Sequence, residues 1–579
     1  AVDKSENLVL NLCHGYQSTH GKSIAHLTFQ SKPGDSYENS FYLVFKLLND
    51  GQIVVKIVTS KTSHIEIPYY LIFRVFGMVR DNEVVDNIVY GVENTDEVTK
   101  YMLDKLERAF MARNEAFEPV QHSRDPEQIL AHISKFMIDI AANPKLTKDV
   151  NAVKYVNTRT LSLLDKMILP HIGSGKEHRI LKLRFIGHII HKLLRITKGV
   201  LPQTDRDNCG NKRFHTAGIS IGKTLKTQIN FVIINEIRKS LIKAFKNTQW
   251  SKVDLEGEVM RAVKPDDLDR VIMQSIVTGD KVLTIRRNEV ANRVSSQTLY
   301  RKNSTNVAAI LNNITTHGQA SAKSTDRAQD MRMAHNTYFG FIGMAQSADT
   351  GEKVGMNKQQ AVSASIAEAS SSYVLKDILL RDKDVIDIKD VSCEEISSRA
   401  LTKIFVNGDW IGFVENGPAL AVKYRTARRH NIINPQTTIF AEYLVRELYF
   451  WTDVGRILRP LIIVYSNIND VLSAIRSGTT PVPEFKQWIR LTKQHIDGIT
   501  TGRINMDTLR EERVIEYVSP EESQNLFIAR SLDVFRANRA DLTHQYTHVD
   551  IEQAVFGIVE LSAPNTNHTP ASRITMFTN

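Results

Sequence analysis

The feature that most constrains this chain is a change of hydrophobic period along its length. Between His178 and Lys198, Ile180, Leu183, Ile186, Ile190 and the pair Leu193–Leu194 recur at the spacing of one helix face. Lys182, Arg184, Lys192 and Arg195 fall on the opposite side. Leu225, Ile229, Ile234, Ile237, Leu241 and Phe245 predict a second long helix. Beyond residue 400 the apolar runs shorten to strand length. KIFVNGDWIGFV (403–414) sets two of them across Asn407-Gly408, a strong hairpin signal because both central positions of a type I′ turn need φ > 0. Leu458–Tyr465, Arg513–Ser519 and Ala554–Leu561 read as further strands. Helices and strands come in blocks, without the β-α alternation of a doubly wound sheet, so the expected fold class is mixed α/β multidomain.

Residues 40–58 pair two strands around Asn49-Asp50-Gly51, and residues 95–115 and 125–142 read as helices, the latter starting at Asp125-Pro126-Glu127. Residues 285–350 are polar, with short apolar anchors, and read as loop-rich connecting or ligand-facing chain. With 579 residues, 42% of them hydrophobic, the chain is too long for one core. No window reaches the ~20 apolar residues that span a bilayer; the most apolar stretch, Tyr69–Val79, is interrupted by Arg74. The opening AVDKSENLVL lacks the basic-then-apolar order of a signal peptide, and the expectation is an intracellular protein without a membrane partner. Cys13, Cys209 and Cys393 are far apart, which excludes a C-x-x-C zinc site and predicts reduced, buried thiols. The net charge of +10 sets 74 bases against 64 acids, only a weak pointer to a polyanionic partner.

Two local patterns invite an active-site reading and do not support one. GISIGKT (Gly218–Thr224) has three residues between its glycines where a phosphate-wrapping loop needs four, and a charged loop precedes it in place of a strand. A helix N-terminal turn is the better account, and a P-loop ATPase role for Lys223 is remote. His188 and His191 share a helix face, with His178 a few turns earlier, but no further ligands converge in sequence, so partly buried core histidines are expected. The chain shows no self-sufficient catalytic motif and no metal site of its own.

A collinear series of segments carries more. Ile67–Ile88 (IPYYLIFRVFGMVRDNEVVDNI), Asp205–Gly218 (DRDNCGNKRFHTAG), Arg332–Gly340 (RMAHNTYFG), Lys403–Gly412 (KIFVNGDWIG), Ile433–Ile439 (INPQTTI), Trp451–Val464 (WTDVGRILRPLIIV), Val514–Ser523 (VIEYVSPEES) and Leu542–Leu561 follow one another in this order. They resemble, in the same order, the second-largest (β-type) subunits of multisubunit DNA-dependent RNA polymerases. What the resemblance implies is the N-terminal half of such a subunit: its protrusion, lobe, fork and external-type domains. The expected divisions are 1–60 and 204–290 for the protrusion, 61–203 for the lobe, 291–380 for the fork, 381–545 for the external-type domains and 546–579 for the start of the catalytic-centre region.

The resemblance also implies roles. Arg573, in PASRITMFTN (570–579), matches an arginine that binds the incoming nucleoside triphosphate; a cap or interface salt bridge is the alternative. Gln297, Arg301 and Lys302 fall in a fork-like stretch that lines the RNA–DNA hybrid, and Lys353 lies in SADTGEKVGM (347–356), where the family's E-T-P-E-G pattern has lost both glutamates and the proline. Lys212 and Arg213 have two readings of equal weight, contacts to nucleic-acid phosphates or an internal network bracing two domains. Asn407-Gly408 and Thr452–Pro460 read as fold signatures. The family's catalytic Mg²⁺ belongs to the largest (β′-type) subunit, so the implied partners are those chains, the C-terminal half of the β-type subunit, DNA template, RNA transcript, nucleoside triphosphates and a promoter-specificity factor. Divergence at Ser347–Met356, and an end within a conserved element, resemble the split β subunits of giant phiKZ-like bacteriophages, which implies the cytoplasm of an infected bacterium. The alternative is a non-enzymatic nucleic-acid-binding or virion structural protein of polymerase ancestry.

Overall fold

The computed structural model describes residues 13–17, 23–31, 41–58, 64–90, 96–137, 150–205, 207–214, 234–247, 254–262, 299–315, 334–343, 357–392, 399–469, 484–551 and 556–562, with isolated residues between some of these segments. Gln297, Lys353, Arg573, Lys223 and Cys393 lie outside the described residues.

Five strands, β1 (Cys13–Gln17), β2 (Ser23–Ser31), β3 (Phe41–Leu48), β4 (Ile53–Val58) and β5 (His64–Pro68), form an antiparallel meander in sequence order. Along β3 burial alternates, Leu43, Phe45 and Leu47 facing inward, as a strand covered on one face requires. The turn to β4 is the expected one: Gly51 adopts φ +91° and Asp50 accepts from the Gln52 N–H at 3.0 Å. Six helices follow: α1 (Tyr69–Val75), α2 (Asp81–Ile88), α3 (Asp96–Met111), α4 (Pro126–Met137), α5 (Val150–Met167) and α6 (Arg179–Lys198). The Tyr69–Val79 stretch, the most apolar of the chain, becomes α1, all seven of whose residues are buried.

Helix α6 is wedged between two sheets. Phe185 meets Phe29 of β2 at 5.2 Å, while His188 lies 5.2 Å from Trp410 and 5.7 Å from Phe405 of the second sheet. The side of α6 expected to face water is therefore enclosed as well. Lys182 is fully buried with its ammonium on the Asp165 carbonyl, and Arg184 donates to the carbonyls of Ile388 and Val391. Gly199, at φ +81°, ends the helix in the left-handed cap conformation.

Helix α7 (Asn235–Asn247) covers the C-terminal part of the second expected long helix, and α8 (Leu255–Ala262) packs against it. Upstream, Gly218, Ile221, Gly222, Leu225 and Lys226 are also helical, in keeping with a helical turn at GISIGKT. Among the described residues of the polar stretch are α9 (Ser304–Leu311) and β6 (Asn313–Thr315), the latter paired with β7 (Asn357–Gln359) beyond it.

The remaining strands build two sheets. After β8 (Ser365–Ile366) and α10 (Ser372–Leu380), β9 (Val385–Asp387), β10 (Thr402–Val406), β11 (Asp409–Val414), α11 (Gly417–Arg429), β12 (Thr438–Glu442) and β13 (Glu447–Trp451) give a sheet in the order β12-β13-β10-β11-β9. Strand β10 pairs antiparallel with β11 across the Asn407-Gly408 turn and parallel with β13. Ile404 and Val406 point into a core shared with α10 and α11, whereas Phe405 points into the large core shared with α6 and the first sheet. Both faces being covered, the strand reads as a continuous apolar run.

The third sheet centres on β14 (Ile457–Ser466), flanked by β15 (Gln487–Ile489), β16 (Ile515–Val518) and β18 (His548–Val549), with β17 (Ile528–Ala529) beyond β18. One expectation is overturned here. Within Ala554–Leu561 the described residues, 556–561, form no strand: Ile558–Ser562 is helical, with Glu560 accepting from the Gly557 N–H at 2.6 Å. A short apolar run does not distinguish strand from buried helix by periodicity, and here the local turn decided.

Candidate functional site

The loop Asp205–Phe214 is shaped by its short polar residues. Asn208 accepts from the Gly210 N–H at 2.9 Å and starts one 3₁₀ turn, Cys209–Asn211. That turn brings Lys212 and Arg213 inward. The Arg213 guanidinium donates from Nε to Asp453 at 2.7 Å and to the carbonyls of Gly210 and Lys212 at 2.8 and 3.0 Å; Glu521 lies 3.7 Å away and the Trp451 ring centroid 5.5 Å away. Burial opposes its charge, but Asp453 and Glu521 outweigh burial and hold its pKa above the ordinary value. The Lys212 ammonium contacts the Tyr338 hydroxyl and sits 5.0 Å from that ring, with Asp207 at 3.9 Å.

Around this loop the recurrent segments meet. His335 bonds Asp205 at 2.6 Å, the Cys209 N–H donates to Thr337 Oγ1 at 2.8 Å, and the Phe214 N–H donates to the Gly455 carbonyl at 2.7 Å. Gly455, at φ +84°, lies too close to the Phe214 carbonyl to admit a side chain. Asn407 of the hairpin turn, itself at φ +49°, donates to Thr452 Oγ1 at 2.9 Å and accepts from the Thr452 N–H at 2.8 Å. Arg456 reaches the carbonyls of Asp453 and Gln436 and the Thr438 hydroxyl at 2.6 to 2.8 Å. Burial pulls the Arg456 pKa down to about 10, against the pull of Asp453, and leaves it charged at neutral pH.

A second layer lies behind. Arg428, near the C-terminus of α11, donates to Glu522 at 2.7 and 2.9 Å, to Glu516 at 3.0 Å and to the Thr437 carbonyl at 2.8 Å. Arg429 forms a fork on Glu516 at 2.6 and 3.1 Å, and His548 Nε2 completes that carboxylate's shell at 2.5 Å. Arg459 pairs with Asp550 at 2.8 Å over the Phe341 ring. Gly340, at φ +78°, leaves no room for a Cβ beside the Arg459 side chain. Gly340→Ala is therefore expected to destabilise by about 1–3 kcal/mol, combining left-handed strain with displacement of the guanidinium. Chemical denaturation measures it, and a cost under half a kcal/mol would contradict the packing described.

The sequence-predicted residues thus separate. Lys212 is buried, Arg213 is 12% exposed at its side chain, both are engaged within the chain, and Thr452–Pro460 and Asn407-Gly408 join them in one junction. Arg301 and Lys302 are exposed just before α9, whose Asn303 cap accepts from the Asn306 N–H at 2.6 Å. His188 and His191 are core residues: Tyr90 bonds His188 Nδ1 at 2.7 Å, His191 Nδ1 meets the Ile88 carbonyl at 2.8 Å, and burial lowers both pKa values, that of His188 to about 3. Cys209 is buried and free, its thiol pushed up to about 12 by burial.

Sequence reasoning missed two centres. Arg428 and Arg429 read as ordinary basic residues at a helix C-terminus. Glu447 reads as one charge beside an apolar strand, yet it is buried and holds Lys192 at 2.6 Å, His188 at 3.3 Å, Lys403 at 3.6 Å and the Tyr449 hydroxyl at 2.6 Å. Lys403 and Glu447 are directly paired on neighbouring parallel strands, and the α6 residues close the cluster from above.

Comparison with known proteins gives these segments a common origin. Profiles of RNA polymerase Rpb2 match in chain order: domain 2 over residues 36–215, domain 3 over 297–366 and domain 4 over 404–465. DNA-directed RNA polymerase II subunit RPB2 of Encephalitozoon cuniculi is 24% identical over 576 residues, 98% of this chain and 45% of the relative. DNA-directed RNA polymerase II subunit 2 of Arabidopsis thaliana is 26% identical over 88% of the chain and 39% of the relative. The subunit Rpo2 of Sulfolobus acidocaldarius is 24% identical over 96% and 44%. The chain thus spans less than half the length of these relatives. The Arg213–Asp453 pair joins the segments matched as domains 2 and 4. Aligned along nearly its whole length, and built around a junction of those shared segments, the chain is a homologue of the second-largest subunits of multisubunit DNA-directed RNA polymerases.

Proposed function

We propose that this chain works as a subunit of a DNA-dependent RNA polymerase and forms one side of its DNA/RNA cleft, with the domain divisions expected from the resemblance. The observation that carries the reading is the charge junction, where segments collinear with polymerase subunits are locked together by Arg213, Asp453, Arg428, Glu516 and Glu522. Such a junction makes a rigid wall, which suits the positioning of template, hybrid and nucleotide. In this reading Lys212 and Arg213 brace the wall from within. Arg301 and Lys302, both exposed, follow the nucleic-acid backbone, together with Gln297 and Lys353, and Arg573 binds the triphosphate.

Catalysis belongs to the assembly. The buried carboxylates of the junction are committed to arginines and a histidine and are not disposed to take a metal. By the family resemblance, the reading assigns the Mg²⁺ to a largest-subunit-like partner. It extends to a viral enzyme with a divided second-largest subunit, as in giant phiKZ-like bacteriophages, acting in the infected bacterium with a promoter-specificity factor. The divergence at Ser347–Met356 supports the viral part. Mass spectrometry of the chains that co-purify tests the division.

The function itself is tested by RNA synthesis of the purified assembly. Arg301→Ala with Lys302→Ala is expected to weaken nucleic-acid binding about equally on all sequences and to lower the salt slope by about 2, one for each phosphate contact. An unchanged slope would remove these two residues from the interface. An assembly that contains no largest-subunit-like chain and makes no RNA would favour a virion structural protein of polymerase ancestry.

A further inference from the structure

On the third sheet an aromatic pair and a group of arginines share one face. Tyr465 of β14 lies directly opposite Trp488 of β15, and their rings are stacked at 6.2 Å. Side chains alternate along a strand. Gln487 turns inward onto the His544 carbonyl and Ile489 packs against the core, so Trp488 and Arg490 turn outward together. The Arg490 guanidinium rests on the Tyr465 ring at 4.6 Å, and Trp488 is 48% exposed. The Tyr465 hydroxyl donates to the carbonyl of Arg513 at 2.9 Å, a residue that follows the helix Met506–Glu511 at φ +59°. The aromatic pair is thereby tied to a cationic turn.

The adjoining surface carries more positive charge. Arg429, Arg510 and Arg513 border a recess of about 10 Å³, in which the one carboxylate, Glu516, is buried and already held by Arg428, Arg429 and His548. The Arg429 and Arg510 side chains are 25% and 23% exposed, and the Arg513 guanidinium has no acidic partner among the described residues. Acids of the same segment are engaged: Glu512 bonds His495 at 2.8 Å, Asp507 stands 3.6 Å from Arg510, and Glu484 stands 3.9 Å from Lys486. Exposed guanidinium groups beside an open aromatic ring favour an anionic partner with flat, apolar rings.

Shape and charge select among such partners. A free nucleotide needs an enclosing pocket of some hundreds of Å³, and this recess holds about one water. A duplex keeps its base faces stacked on one another. An apolar polypeptide would cover the guanidinium groups without giving them counter-charge. A single strand offers both a free base face for Trp488 and a run of phosphates for separated cations, which is how surfaces that bind single strands without sequence preference work.

We propose that the Tyr465–Trp488 pair and the arginines beside it form a binding surface for single-stranded nucleic acid, with a base stacked on Trp488 and flanking phosphates on Arg490 and Arg513. The surface is additional to Arg301 and Lys302 and does not depend on the cleft reading.

Fluorescence anisotropy with a fluorescein-labelled oligothymidine strand, and with its duplex, tests the proposal. The full chain carries Arg301→Ala and Lys302→Ala throughout, so that those side chains contribute nothing. The single strand is expected to bind saturably and more tightly than the duplex. Trp488→Ala is expected to weaken that binding about fivefold or more, the low end for one base–aromatic stack, whereas Trp488→Phe keeps a ring and most of the affinity. Arg490→Gln with Arg513→Gln is expected to lower the slope of log affinity against log salt by about 1.4, at about 0.7 for each phosphate of a single strand. Melting temperatures are expected to match the parent, because Trp488 is half-exposed on an edge strand; the arginine pair tests the same surface independently of that ring. Absence of saturation, a duplex bound as tightly as the single strand, or parental affinity in Trp488→Ala overturns the proposal. Loss of a co-purifying chain in Trp488→Ala, with single-strand affinity unchanged, would overturn it in favour of a protein partner.

Discussion

Arg428→Ala is expected to cost about 3–5 kcal/mol of folding stability, because it leaves two buried carboxylates short of their shared counter-charge. The Arg428 side chain is 2% exposed and those of Glu522 and Glu516 are 1% and 6% exposed, so water does not replace the guanidinium. Arg425 and Arg429 remain on the outer edges of the pair, at 3.1 and 2.6 Å, which sets the cost within that range and not above it. The pH dependence follows from Glu516. Burial by itself would raise its pKa, but Arg429, Arg428 and His548 outweigh burial and hold it well below the ordinary 4.5. A carboxylate whose folded pKa is depressed contributes stability that is present above its unfolded value and is lost as pH falls through the folded one. The parent should therefore weaken progressively below pH 4.5, whereas in Arg428→Ala, whose Glu516 is held down less, the acid loss should be smaller and finish at higher pH. Urea denaturation at neutral pH, repeated down to about pH 3, reads both effects. A variant as stable as the parent would show that the junction carries no strain-bearing charge.

Glu447→Ala is expected to be as damaging, by about 3–5 kcal/mol, for the opposite sign of charge. The carboxylate sits between α6 and the second sheet and neutralises Lys192 and Lys403, the latter itself buried. Burial already pulls Lys403 down to about 8 although Glu447 favours its charged form. Without Glu447 the buried Lys403 loses its carboxylate and keeps the ring faces of Tyr90 and Trp410, and its folded pKa drops further. For a base whose folded pKa is depressed, the penalty is largest where the unfolded state is charged and shrinks as pH rises toward the unfolded value. The deficit of Glu447→Ala should accordingly narrow between neutral pH and pH 10.5, which denaturation at several pH values measures. A deficit independent of pH would point to lost packing in place of unpaired charge. Because Glu447 ties α6 to β13, the variant also reports how far the first core and the second sheet stabilise each other.

Much of the local architecture was legible because its causes are local. The two hairpins follow from Asp50-Gly51 and Asn407-Gly408, whose residues accept positive φ, and α6 follows from an apolar period closed by Gly199. The order of the family segments is likewise a property of the chain itself. Where the cause was not local, reading failed or stayed open. Ala554–Leu561 looked like a strand because Val, Phe and Ile in a short run suit either element. Lys182 and Arg184 looked solvent-facing because one helix period cannot show that a second sheet will close over the polar side.

The charge cluster divides the two kinds of knowledge most clearly. The sequence by itself determined the period, the turns, the expected mixed α/β class and the likeness to polymerase subunits. Only the tertiary structure decided that Arg213 would spend its charge on Asp453, 240 positions away, and that Arg428 would serve Glu516 and Glu522. The reason is physical. A turn or helix is set by torsions and neighbours a few residues apart, whereas a buried ion pair exists only once distant segments have excluded water between them, and no spacing in the chain records which partner that will be.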